Sequence, residues 1–227
     1  MTMRKKLLIT IACLSCILCI LVTGTIAWLI AETTPITNTF TPSNIAVKLE
    51  EAGAVDNKQS FQMIPGKPIN KEVKVTVENN VDCYVFVEVT EVNNAGNYLA
   101  YAVDSGLEEL TKDGTTTVYY KKVTANDDNK IIYVLKDSSS KFDLGATEPV
   151  EYKWEKNQVL VRPDVTKAMM DALYKDGKHI TDLPTLTFTA RAIQSDHLAY
   201  GDANTEAEKA QIAWETLKAN PNTPAVG

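Results

Sequence analysis

Residues 71–92 read KEVKVTVENNVDCYVFVEVTEV. In the first part Val73, Val75 and Val77 alternate with Lys74, Thr76 and Glu78. Successive side chains on a strand point to opposite faces, so this pattern describes a strand with one buried and one wet face. The turn-forming pair Asn79-Asn80 follows. Then come residues 83–92, in which Cys83, Val85, Val87 and Val89 share a face with Val81. This order allows 71–78 and 83–92 to pair as a hairpin.

Working outward, further strand patterns fall at 44–50, 117–123, 130–136, 150–154 and 157–161. Adjacent Tyr119 and Tyr120 on such a strand are expected to give one core and one surface aromatic. The clearest late strand is 185–194, TLTFTARAIQ, with Leu186, Phe188, Ala190 and Ala192 on one face and Thr187, Thr189 and Arg191 on the other. Short strands separated by Asn, Asp, Gly and Ser clusters predict a mainly-β, two-sheet sandwich. Two short helices accompany it. Residues 164–175 have Asp164 as an N-cap after Pro163 and Gly177 beyond the end. Residues 205–218 open with Thr205 and Glu208 at capping-box spacing, followed by an apolar stripe of Ala210, Ala213, Trp214 and Leu217.

The N-terminus is of a different kind. Arg4, Lys5 and Lys6 precede an apolar run from Leu7 to Ala31, with no acidic residue before Glu32. A basic start, an apolar stretch and a small-residue site form a secretory signal. Thr25 and Ala27 occupy the −3 and −1 positions for a cut between Ala27 and Trp28. The run is also long enough to span a bilayer, so an uncleaved anchor is the competing reading. The 227 residues carry a net charge of −6, and removing 1–27 leaves 20 basic against 29 acidic residues, a net charge of −9. Such a surface argues against nucleic-acid binding, which needs basic patches. Cys13, Cys16 and Cys19 lie inside the apolar run, so only Cys83 survives processing and no intrachain disulfide can form. Cys83 reads as a buried core thiol.

Catalytic patterns are missing from the sequence. The only histidines are His179 and His197, and no HExxH, GxSxG or phosphate-binding Gly-rich loop occurs. His179 reads as a solvated loop residue. His197, with Asp196 and Asp202 nearby, gives only weak grounds for a metal site. Asn126-Asp127-Asp128-Asn129 lacks the calcium-loop spacing and reads as a polar turn. No catalytic residue, cofactor or metal is expected.

The residues resemble the TasA/camelysin family of secreted proteins of Gram-positive bacteria, which includes matrix fibre subunits. Gly24, Thr25, Ala27, Trp28, Asn38, Phe40, Ser43 and Ile45 match its signal-to-first-strand junction. Pro65, Gly66, Lys71, Asn79 and Asn80 match its P-G-x-x-x-x-K segment and polar turn, VYYKKV and YVLKD match the middle, and Ala190 and Gln194 match its last strand. The resemblance implies a jelly-roll-like sandwich, processing by a dedicated signal peptidase, and polymerisation by donor-strand complementation. On that expectation 1–27 is signal and 28–41 an extended segment. Within it Trp28, Leu29, Ile30, Ala31, Glu32, Thr33 and Thr34 form the donor strand, ahead of Pro35, which interrupts pairing. Residues 42–218 are the sandwich and 219–227 a tail. The expected protein is a non-enzymatic subunit of an extracellular matrix or cell-surface fibre. Its partners are further copies of itself, the signal peptidase during export, and other matrix subunits. A secreted camelysin-like metallopeptidase and a membrane-anchored surface binding domain are the alternatives.

Overall fold

The structure, a computed structural model, describes residues 45–53, 60–175, 178–196 and 198–219. In chain order the strands are β1 (Ile45–Glu51), β2 (Pro68–Asn70), β3 (Val73–Asn79), β4 (Cys83–Val92), β5 (Leu99–Ala100), β6 (Glu108–Asp113) and β7 (Thr116–Val123). They continue as β8 (Ile131–Tyr133), β9 (Ser138–Phe142), β10 (Val150–Trp154), β11 (Gln158–Val161), β12 (Tyr174–Lys175), β13 (Lys178–His179) and β14 (Thr185–Gln194). Helix α1 spans Lys167–Asp171 and helix α2 spans Glu206–Ala219.

Two antiparallel sheets make the sandwich. One has the order β1-β3-β8 and the other β14-β4-β7-β6. Val47, Val73, Val75 and Val77 from the first meet Cys83, Val85, Val87, Val89 and Ala190 from the second in one buried cluster. The alternation that marked these strands is what fills this interface. A small sheet β2-β11-β5 and the hairpins β9–β10 and β12–β13 complete the strands.

β3 and β4 do not pair as a hairpin. β3 bonds to β1 and β8, whereas β4 bonds to β14 and β7. The reason lies in the second face of β4. Tyr84 and Phe86 are as buried as Cys83 and Val85. A strand apolar on both faces needs cover on both, so it takes a central place in its sheet. The cover is α2, whose Ala210, Ala213, Trp214 and Leu217 pack on Tyr84, Phe86, Val118 and Tyr120. The chain therefore crosses between sheets at 80–82. The Asn79 side-chain amide donates to Val81 O at 2.9 Å and shapes that corner.

The capping box forms as the sequence predicts. Thr205 N–H donates to Glu208 Oε2 at 2.9 Å, and Glu208 N–H donates to Thr205 Oγ1 at 3.2 Å. These backbone N–H donors hold the Glu208 carboxyl below its ordinary range. The other predicted helix is much shorter than 164–175. Thr166, not Asp164, caps it, accepting from Met169 N–H at 3.2 Å. Asp164 is held instead by the Arg162 guanidinium at 2.7 and 3.0 Å. Tyr174 and Lys175 then pair with His179 and Lys178 as strand. Gly177 lies outside the described residues.

Tyr120 is buried beneath α2, while Tyr119 is half-buried and packs against the sandwich cluster, so both rings contribute to packing. Cys83 is fully buried, and burial pushes its thiol up to about 11. In the folded protein it should resist alkylation at pH 8, and it should react once denatured. A thiol-counting assay with and without denaturant measures this; full labelling of the native protein would contradict the packing.

Candidate functional site

The residues predicted to act, Ala27 and Trp28 at the cleavage site and Trp28–Thr34 as donor strand, lie outside the described residues, as does His197. His179 is exposed on β13, its Nε2 2.9 Å from the Tyr174 hydroxyl. Among the described residues no group of three or more His, Cys, Asp or Glu side chains converges as a metal site would require. Asp127 accepts from Thr124 N–H and Oγ1 at 2.8 and 2.9 Å. These bonds lower its pKa, and they close the 126–129 turn on itself. Among the described residues no helix is long and apolar enough to cross a membrane.

What the fold does present is a pair of unpaired strand edges lying side by side. β14 bonds to β4 on one side only, and β1 bonds to β3 on one side only, among the described residues. The Cα atoms of β1 and β14 approach within 8 Å. In an antiparallel ladder alternate residues direct both backbone groups at the same neighbour. Glu91 N–H donates to Thr115 O beside β7, and Ser195 N–H donates to Asp82 O beside β4. The unbroken β14–β4 register therefore aims the N–H and C=O of Thr187, Thr189 and Arg191 at β4. Those of Leu186, Phe188, Ala190 and Ala192 point away from the sheet. The same argument applies to β1. Val77 N–H donates to Lys130 O and Ala52 N–H to Glu72 O. The backbone groups of Ile45, Val47 and Leu49 therefore face outward.

On both edges the outward backbone belongs to residues whose side chains face the core. An extended peptide seated there would gain main-chain hydrogen bonds and lie over an apolar floor. Natural sheets usually shield such edges, because each one is a template for pairing with another chain.

Lys71 sits at one end of these edges. Its ammonium is 2.6 Å from Glu51 Oε1, at the end of β1. It also lies 5.4 Å from the ring centroids of both Phe61 and Phe188, the latter on β14. One buried cation thus ties the ends of both strands together, with its ammonium over two aromatic faces. Beside it is a cavity of about 160 Å³, lined by Phe61, Ile69, Leu99, Val159, Leu183 and Leu186. Small-molecule sites run to roughly 300–1,000 Å³, so this cavity suits a single apolar side chain better than a cofactor.

Positions that carry the family resemblance frame the same region. Ile64–Lys67 forms a turn closed by Lys67 N–H to Ile64 O at 3.0 Å, with Gly66 at φ +77°. A Cβ at Gly66 would lie 3.2 Å from the Tyr152 ring, so both conformation and space favour glycine. Ala190 and Gln194 are on β14, and Ile45 opens β1. The edges are not legible as a site in the sequence. Alternation over 185–194 reveals a strand, but not which of its sides has a neighbour.

Comparison with known proteins adds no relative: no family model, no curated protein and no solved structure matches this chain.

Proposed function

We propose that the chain is a non-enzymatic subunit of an extracellular fibre, secreted to the matrix or surface of a Gram-positive cell. It polymerises by donor-strand complementation after its signal is removed. Residues 28–34 of one copy pair with the edges of the next. The observation that carries this reading is the adjacency of two outward-facing edges, β1 and β14, over an apolar floor. The resemblance of the 24–45 junction to the TasA/camelysin family supports it independently. Donor and acceptor are different surfaces, so the contact is heterologous and propagates as an open filament. Cleavage at Ala27 frees the donor segment from the membrane, which couples processing to assembly.

Electron microscopy of purified 28–227 should show filaments, while protein lacking 28–36 should stay as soluble monomers of the same fold. Equal polymerisation by the shortened protein would overturn the proposal.

A further inference from the structure

A second cavity lies away from the β1 and β14 edges. It opens between the β4-β7-β6 face and the β9–β10 hairpin, with a volume of about 460 Å³. That falls within the range of small-ligand sites, roughly 300–1,000 Å³. Its walls are mostly polar, and most of that polarity is unspent. Glu91 is already engaged: the Tyr101 hydroxyl donates to its Oε1 at 2.9 Å. Its other oxygen lies against Gly96, where a Cβ would come within 2.4 Å. The remaining groups are free. Among the described residues the Tyr119 hydroxyl, the Glu109 carboxylate and the hydroxyls of Ser138 and Ser140, which share the Trp154 face of the β9–β10 hairpin, have no hydrogen-bond partner. Trp154 also lines the cavity; it is 5% exposed, and its indole N–H has no partner in the described chain.

Buried polar groups are normally satisfied, so the orphaned Trp154 indole calls for an explanation. Local backbone features gather these groups in one place. A register shift between Glu109 and Thr111 interrupts the β6–β7 ladder beside Glu109. Bulges of this kind re-aim side chains next to binding sites. On β9, Ser138 stands directly opposite Trp154 in the hairpin register.

The mixture selects a ligand class. Two carboxylates against the single ammonium of Lys112 disfavour an anion. The polar walls disfavour an apolar ligand. A divalent cation would want a group of three or more acidic or histidine side chains, and none converges among the described residues. Hydroxyls, carboxylate acceptors and tyrosine rings together fit a neutral, hydroxyl-rich molecule. We infer that this groove is a carbohydrate site that takes a short stretch of an uncharged polysaccharide. This assignment stands apart from the polymerisation proposal, because it uses neither β1 nor β14.

Native-gel affinity electrophoresis of processed full-length protein tests it. The probes are two soluble neutral glucans, hydroxyethyl cellulose and dextran, with alginate as the anionic comparison. At least one glucan should retard the protein and alginate should not. Tyr119→Phe combined with Ser138→Ala and Ser140→Ala removes three hydroxyls while keeping the ring, and should weaken retention about tenfold. Glu109→Gln, on the exposed rim, should weaken it less, and far-UV circular dichroism checks that both variants fold. Retardation by alginate alone, no retardation by either glucan, or unchanged retention in the hydroxyl-deleted variant would each overturn the site.

Discussion

Phe86→Ala should cost about 3–5 kcal/mol, the usual range for removing a buried aromatic ring. Phe86 is fully buried in β4, and its ring centroid lies 5.1 Å from that of Trp214 on α2. It therefore belongs to the seam that attaches the helix layer to the sheet. Domains are stable by only about 5–15 kcal/mol, so the loss should bring the fold close to its threshold. Trp214→Ala should cost a similar amount. The double variant should lose less than the sum of the two, because each ring is the other's packing partner. Urea titration should show a lower midpoint with little change in slope. A loss below about 1 kcal/mol for Phe86→Ala would mean that α2 does not cover β4 in solution.

The second large effect concerns Lys71 and Glu51. Their side chains are 11% and 19% exposed. Removing one partner of a buried pair leaves an uncompensated charge, which typically costs about 3–5 kcal/mol. Residual exposure places Glu51→Ala toward the lower end of that range. Lys71→Met should cost less, because the thioether can still pack near the Phe61 and Phe188 rings and the Glu51 carboxylate it leaves behind is more exposed than the ammonium. Thermal denaturation of the two variants measures the asymmetry. Losses below about 1 kcal/mol in both variants would show that Lys71 is not tying β1 to β14. On the proposed assembly, Glu51→Ala should also slow filament growth before it prevents folding.

The core was legible in the sequence because it rests on local periodicity. Val73, Val75 and Val77 alternate, and they are buried. Leu186 and Ala190 share one face of the 185–194 alternation, and both are buried. The α2 stripe and its cap follow from spacing within a single helix. What could not be read was non-local. Cys83–Val89 carries an apolar residue at nearly every position, and period-two reasoning looks at only one of its faces. The helix that claims the other face begins more than a hundred residues later. That is why the hairpin expectation failed. Asp164 looked like a cap because its neighbours suited one, but Arg162 competes for the same carboxylate. Polar strands such as Glu108–Asp113 and Ser138–Phe142 give no apolar alternation, and pairing with β7 and β10 defines them. The same limit hid the candidate sites. The open edges and the polar groove are properties of which strands lack neighbours, and no single segment encodes that.

The central claim is that the outer edge of β14 is an acceptor for a strand from another copy. Residue-resolved amide hydrogen exchange tests it most directly, comparing filaments of 28–227 with monomers lacking 28–36. The N–H groups of Thr187, Thr189 and Arg191 face β4 and should be protected in both states. Those of Leu186, Phe188, Ala190 and Ala192 face outward and should become protected only in the filament. If these four amides exchange at the same rate in filament and monomer, β14 is not the acceptor.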